Sequence, residues 1–280
     1  MNHLRALTPA LAALTLSACA SAPHAPPQRM AGSDGPPAGA LADYVRRASA
    51  IDPRFHGPDD VSQALATGAD YTPRTLAAGV VALGADAAAQ EPKLRAGLRR
   101  VAADPRAREA LARRIEASPE AALDLPGGAA AAARARAAIR REAAALTVAG
   151  SKVRAAAYDV QASAWSRAPV QEPQARLQRI KSVSAVGAPD RSPPPPRAIV
   201  AAGPAVTRAV AVAALRELGR RPSPALMEEP RSAQCLRLAK LNLFQCLASA
   251  GPNYEDIYCL GRHALAETGQ CVASSAGGPA

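Results

Sequence analysis

The chain has 280 residues, and Lys and Arg outnumber Asp and Glu by 34 to 23, which leaves a formal net charge of +11. Ala makes up roughly a quarter of the residues, far above its ordinary usage. Ala favours helix but buries little apolar area, whereas sandwiches and barrels need many β-branched and aromatic residues. The composition therefore excludes an all-β fold and predicts an all-α protein, an Ala-rich helical bundle.

The positive charge by itself does not identify a partner. A basic surface can attract nucleic acid, anionic lipid or an acidic polymer. Here the Arg residues are spread along the chain without a dense block, and no nucleic-acid-binding module is recognisable. The pattern favours an ordinary solvated surface.

The N-terminal segment has the layout of a secretory signal. A short basic stretch, 1–5, precedes an apolar run, 6–16, that is too short to span a bilayer. The run ends in Leu16-Ser17-Ala18-Cys19, which resembles the lipobox of bacterial lipoprotein precursors. The resemblance implies that residues 1–18 are a signal peptide and that Cys19, with a diacylglyceryl group on its thiol, becomes the first residue.

A lipid on Cys19 predicts a stable membrane anchor, since several buried acyl chains hold a protein on a bilayer. In lipoproteins an Asp directly after this Cys favours the inner membrane, so Ala20 favours the periplasmic face of the outer membrane. Residues 19–40 are rich in Pro, Gly, Ser and Ala and predict a flexible tether that reaches roughly 40–60 Å. An ordinary signal peptide, cut after Ala18 or Ala20, is the alternative.

Residues 41–187 predict an Ala-rich helical domain that Pro and Gly divide into short helices. A Pro-rich linker, 188–197, contains four consecutive prolines and predicts a stiff spacer. Residues 198–231 predict an apolar helix over 204–218, stopped by Gly219, and a connector. Within the first domain we expect a helix over 41–51, a second from a cap at Asp59 or Asp60 to Gly68, and a third from Thr72-Pro73 past Leu83. Three more are expected around 94–101, around 111–117 and from Glu172-Pro173.

The stretch 129–168 carries a heptad pattern in which large and small residues alternate. The large positions are Ile139, Leu146, Val153 and Val160, and the small ones are Ala143, Gly150, Ala157 and Ala164. Small residues let helix backbones approach closely, so the pattern predicts a coiled-coil-like partner, parallel or antiparallel, in this chain or another. The alternative is a long buried helix with a fortuitous register. Gly150 is also a candidate break.

Apart from Cys19, the chain has four cysteines, Cys235, Cys246, Cys259 and Cys271. An even number in an exported chain predicts disulfides. Two helices separated by Gly251-Pro252 carry them. We expect Ser232 to cap the first helix and Asn253, with Asp256, to cap the second, which Gly269 stops.

Antiparallel folding of these helices places Cys246 opposite Cys259 near the turn and Cys235 opposite Cys271 at the open end. The sequence therefore predicts a disulfide-stapled helical hairpin over 232–272, followed by a disordered tail, 273–280. It resembles the twin Cys-x9-Cys helical hairpins, although the spacings here are ten and eleven, and that resemblance implies architecture without activity. A zinc site is the alternative, but the chain lacks a Cys-x2-Cys pair.

The sequence offers few candidates for chemistry. His56 lies near Asp59 and Asp60, and His263 lies four residues before Glu267, a spacing typical of a surface pair. Tyr254, Tyr258 and Phe244 are expected in the hairpin core rather than on a binding surface. Because the sequence contains none of the common hydrolase, zinc-protease or nucleotide-binding motifs, it predicts no catalytic, metal or cofactor site.

These features favour a noncatalytic, membrane-anchored lipoprotein of the bacterial envelope, acting as a helical interaction or structural module. Its expected partner is another periplasmic protein or an acidic cell-wall polymer, and export argues against nucleic acid. The alternative is an envelope hydrolase or transferase whose active residues the sequence does not reveal.

Overall fold

The computed structural model describes residues 37–184 and 203–277, which fold into helices without a strand, so the predicted all-α class is confirmed. The first range holds α1 (Pro37–Ser49), α2 (Pro58–Ala69), α3 (Pro73–Ala88), α4 (Pro92–Ala102), α5 (Pro105–Ala117), α6 (Gly128–Asp159), α7 (Ala164–Arg167) and α8 (Pro173–Val183). The second holds α9 (Pro204–Glu217), α10 (Pro224–Met227), α11 (Pro230–Ser249), α12 (Asn253–Cys259) and α13 (Thr268–Ser275). A π-helical segment, Leu260–Glu267, joins α12 to α13 without interruption.

Proline starts most of these helices. It occupies the first turn of α2 to α5 and of α8 to α11, where its missing N–H costs nothing and its fixed φ suits the helix. The residue before the proline often supplies the cap: Thr72 accepts from the N–H of Thr75, and Glu229 accepts from two backbone N–H groups at the start of α11. The predicted cap at Ser232 is therefore wrong, because Glu229 begins the helix three residues earlier.

Other predicted helix ends also differ. Asp59 and Asp60 lie inside the first turn of α2 rather than capping it, since the helix begins at Pro58. Asn253 does not cap α12, because its side-chain amide donates to the carbonyls of Trp165 and Ala168 instead. Helix α1 begins at Pro37, within the predicted tether, and α13 continues to Ser275, within the predicted tail.

One hydrophobic core extends from Leu41 to Ala276. Helix α9 lies at its centre, and nearly all of its residues between Ala205 and Leu215 are buried. Small Ala side chains allow neighbours on every side to approach this helix closely. The predicted segments 41–187, 198–231 and 232–272 therefore share a single core.

The part of the predicted heptad pattern that lies on α6, from Ile139 to Ala157, has its partner in the same chain. Val160 and Ala164 lie beyond the end of this helix, so the pattern is not one continuous helix to residue 168. Helix α6 packs antiparallel against the π-helical segment and α13, with Ala143 near Gly269 and Arg154 near Gly261. A Cβ atom at Gly150 would lie 2.7 Å from the backbone nitrogen of Ala266, so glycine is required for the close approach. Gly150 is thus not a break and Gly269 is not a helix stop: both lie inside continuous helices where the two backbones meet.

Two disulfides in the nested order join α11 to α12 and to α13. Cys235 pairs with Cys271 and Cys246 pairs with Cys259, with Cα–Cα distances of 5.6 and 5.7 Å. All four cysteines beyond Cys19 are thereby bonded, so they are not available as zinc ligands. The bonds fix α11 and the C-terminal helix as an antiparallel pair.

Residues 1–36, 185–202 and 278–280 lie outside the described residues. The predicted signal peptide, the predicted lipid-carrying Cys19, most of the predicted tether and the predicted Pro-rich linker fall in these ranges. Within 37–184 and 203–277, every helix is too short or too polar to cross a lipid bilayer.

Candidate functional site

A surface groove lies where the end of α6 meets the turn between α11 and α12. It has a volume of about 320 Å³. Three of the chain's five tyrosines line it, although only 3% of all residues are aromatic. The lining residues, which we call the tyrosine groove, are Ala157, Tyr158, Gln161, Cys246, Ser249, Ala250, Tyr254, Glu255, Tyr258 and Cys259.

Two of these aromatic rings are open to solvent. Tyr158 is 61% exposed and Tyr258 is 37% exposed, and their rings meet edge to face with centroids 6.5 Å apart. The prediction that Tyr258 belongs to the hairpin core is therefore wrong, whereas Phe244 is buried as expected. Helix α12 turns Tyr258 outward because Ile257 and Cys259 on either side of it are buried.

A disulfide and several hydrogen bonds fix the backbone around the groove. The Cys246–Cys259 disulfide forms part of its wall and ties α11 to α12. The segment before α8 is fixed to the turn, since Val170 donates its N–H to the carbonyl of Gly251 over 2.9 Å. The side-chain amide of Asn253 also donates to the carbonyls of Trp165 and Ala168, over 3.1 and 3.0 Å. The rings are thus held in place before a ligand arrives, which reduces the entropy cost of binding.

The polar groups of the groove support recognition. Glu255 uses one carboxylate oxygen to accept from the N–H of Gly251 over 2.8 Å. The hydroxyl of Ser249 donates to the carbonyls of Gln245 and Cys246. Gln161 is exposed and offers an amide donor and acceptor. This set can stack on a ligand and hydrogen-bond to it, and the lining holds a single carboxylate.

A buried ion pair supports the groove from inside. Arg176 of α8 reaches both oxygens of Asp256 with one nitrogen, at 2.6 and 2.5 Å, and donates to the carbonyl of Leu247 with another. Burial raises the pKa of Asp256 to about 6, in spite of the opposing effect of the Arg176 guanidinium. The pair ties α8 to α11 and to α12, the helix that carries Tyr254 and Tyr258.

A second buried polar cluster surrounds Lys240. Its ammonium group donates to the carbonyl of Tyr71 and to the hydroxyl of Ser184, and it lies 4.2 Å from the centroid of the Tyr71 ring. The Tyr71 hydroxyl in turn contacts the Leu236 carbonyl and the Thr268 hydroxyl, both at 3.2 Å. Burial lowers the pKa of Lys240 from its ordinary 10.5 to about 7. Lys240 lines neither of the two described cavities, so it connects α11 to the α2–α3 loop and to the residue that follows α8, rather than facing a ligand.

The predicted histidines are not brought together. His56 is exposed, and its backbone N–H donates to Asp60 over 2.8 Å. His263 lies 3.0 Å from Glu267, which also accepts from the amide of Asn242. In the described part of the chain, no group of three His, Cys, Asp or Glu side chains is arranged to hold a metal ion.

Sequence reasoning missed Tyr158, Arg176 and Lys240. A signal for Lys240 existed, since it interrupts the apolar stripe formed by Leu236, Leu243 and Leu247 on α11. Tyr158 and Arg176 gave no such signal, because their roles depend on helices distant in sequence.

Comparison of the chain with protein-family models, with curated proteins and with solved structures finds no match.

Proposed function

We propose that this chain is a noncatalytic lipoprotein of the bacterial cell envelope, anchored through a lipid on Cys19, and that it acts as a helical interaction module. The lipobox-like Leu16-Ser17-Ala18-Cys19 supports the anchor. The two disulfides support a location outside the reducing cytosol, because such bonds persist in oxidising compartments.

The tyrosine groove is the surface that we assign to the partner. The observation that carries this assignment is the exposure of Tyr158 and Tyr258 side by side in a chain that is poor in aromatic residues. Tyrosine is enriched at protein interfaces because it offers a large rigid ring and a hydroxyl that still finds a hydrogen bond. A groove of about 320 Å³ accepts one or two side chains of another protein. The partner is therefore an exposed segment of a second envelope protein.

The anchor is tested by intact mass spectrometry of the protein purified from the envelope of its native host. We expect a chain that begins at Cys19 and carries a diacylglyceryl group and a further acyl group. A chain that begins after Ala18 or Ala20 without added lipid would contradict the anchor and would leave the groove assignment standing.

The groove is tested by placing a photo-reactive phenylalanine analogue at position 158 in the native host. We expect a discrete cross-linked product that disappears when Tyr258→Ala is added. Val148 provides the matched control, because it is 53% exposed on the same helix and lies outside the groove. Equal products from positions 148 and 158, or none from position 158, would refute the groove as the partner site.

A further inference from the structure

Helices α4 and α5 form a basic part of the described surface. Together they carry eight Lys and Arg residues and two Glu residues. Three nearby carboxylates balance part of this charge. Glu217 pairs with Arg99 at 2.9 Å and Arg95 at 3.9 Å. Glu109 lies 3.7 Å from Arg113, and Asp124 lies 3.9 Å from Arg114.

Four basic side chains on these helices remain without an ion pair to a described carboxylate. They are Lys93, Arg100, Arg106 and Arg108, all of them exposed. Arg106 and Arg108 are two residues apart and do not share a side of α5, so we call Lys93, Arg100 and Arg106 the basic face. Lys93 and Arg100 are seven residues apart on α4, which is two helical turns, so they lie on one side of that helix. Exposed charges without a close ion pair are available to an anionic ligand.

An apolar cleft of about 200 Å³ adjoins Arg100. Its walls are Leu94, Gly97, Leu98, Val101, Leu125 and Pro126, and Arg100 supplies the only charge in the lining. Gly97 keeps the cleft open, because a Cβ atom at this position would lie 3.8 Å from Pro126, in ordinary contact across the cleft. The cleft accepts an apolar chain next to a guanidinium group.

We propose that the basic face and this cleft bind an anionic phospholipid surface. A phospholipid such as phosphatidylglycerol offers a phosphate for Arg100 and methylene groups for the cleft, whereas an acidic polysaccharide or polypeptide offers only the charge. This surface is separate from the tyrosine groove. The inference rests on the proposed Cys19 anchor only for bringing the face close to a bilayer.

The test uses the full-length protein and two kinds of vesicle, phosphatidylcholine alone and phosphatidylcholine containing phosphatidylglycerol. The difference between the two affinities removes any contribution of the N-terminal segment that does not depend on charge. Arg100→Gln combined with Arg106→Gln should lower the phosphatidylglycerol-dependent affinity about thirty-fold, since each basic residue at a membrane surface contributes about five- to sixfold. Added salt should weaken the binding of the native chain.

Arg99→Gln combined with Arg113→Gln is the matched control, because it removes the same net charge from the same helices. Both Arg99 and Arg113 already contact carboxylates, at 2.9 and 3.7 Å, so we expect a several-fold smaller loss of affinity. Equal losses in the two pairs would overturn the proposal, since net charge alone would then explain the binding.

Gly97→Leu tests the cleft, because it fills the apolar space while improving helix propensity. We expect weaker binding to phosphatidylglycerol vesicles and unchanged binding to soluble polyglutamate. If polyglutamate competes with vesicles at equal charge, or if Gly97→Leu leaves vesicle binding unchanged, the face is a polyanion site and the proposal is wrong.

Discussion

Replacing Lys240 with Met should remove a pH dependence of stability that the native chain shows between neutral and alkaline pH. Lys240 is 1% exposed, and burial lowers its pKa from 10.5 to about 7. Met has a similar length and no charge, so Lys240→Met keeps most of the packing while removing the titrating group.

The direction and the size of this pH dependence follow from the linkage between proton binding and folding. In the unfolded chain the pKa of Lys240 returns to 10.5, so between about pH 7 and pH 10 the unfolded state binds more protons than the folded state. Stability rises with pH wherever the unfolded state binds more protons. From pH 7 to pH 9 the free energy of unfolding of the native chain should therefore rise by about 2 kcal/mol. Below the folded-state pKa of about 7 both states are protonated, and this slope disappears.

The buried tyrosines set the upper limit of the pH range in which Lys240 alone controls the change in stability. Burial raises the pKa of Tyr44 and of Tyr71, so these groups ionise first in the unfolded chain. That ionisation begins near pH 10 and lowers stability as pH rises further. Asp256, with a pKa of about 6, contributes its own slope below about pH 7, so measurements between pH 7 and pH 9 isolate the ammonium group.

The assay is urea unfolding followed by far-UV circular dichroism at several pH values between about 7 and 9. We expect the rise in the native chain and a flat profile in Lys240→Met. Lys152→Met, at an exposed position on α6, should keep the native slope. The absolute stability of Lys240→Met is a poorer test, because the Tyr71 carbonyl and the Ser184 hydroxyl lose a donor. Parallel profiles for the native chain and Lys240→Met would refute the reasoning.

Three further changes test the packing. Gly269→Ala should lower the free energy of unfolding by about 1–3 kcal/mol, because the added Cβ lies 2.7 Å from the Thr147 hydroxyl and 2.8 Å from the Ala143 carbonyl. Gly251→Ala meets open space and should unfold at the native temperature; equal melting temperatures for the two variants would contradict the close approach. Asp256→Ala should cost about 3–5 kcal/mol in urea unfolding by leaving Arg176 buried and unpaired, while Arg176→Met with Asp256→Leu should recover most of that loss. If the double variant were no more stable than Asp256→Ala, the uncompensated charge of Arg176 would not explain the loss of stability. Removing Cys235–Cys271, with its sequence separation of 36, should cost about 4 kcal/mol, and removing Cys246–Cys259, with a separation of 13, about 3 kcal/mol. Each disulfide is removed by replacing both of its cysteines with Ser, and stability is measured by urea unfolding. A larger loss on removing Cys246–Cys259 than on removing Cys235–Cys271 would contradict the loop-entropy explanation.

Much of the C-terminal architecture could be predicted, because it depends on local spacing. The spacing of Cys235, Cys246, Cys259 and Cys271 on two helices, with Gly251-Pro252 between them, favours the nested pairing over the other two. Proline positions likewise predicted the starts of α3 and α8. Such signals act within a few residues, and the tertiary structure leaves them intact.

The glycines show where local reasoning fails. Gly150 and Gly269 have the sequence signature of a helix break and a helix stop, yet each lies in a continuous helix. Their role is to let α6 and the last helix approach each other, and the residues concerned are more than a hundred positions apart. A single helix holds no information about the partner that it will meet, so propensity alone gives the wrong answer.

The amino-acid order alone determined the helical class, the division of the chain by proline and the pairing of the sulfur atoms, because these depend on backbone preferences and spacings of a few turns. Only the tertiary structure decided which tyrosines face water, that Arg176 meets Asp256 and that Lys240 is enclosed. These outcomes depend on which distant helices exclude solvent from a given side chain, and burial of that kind is a property of the assembled core.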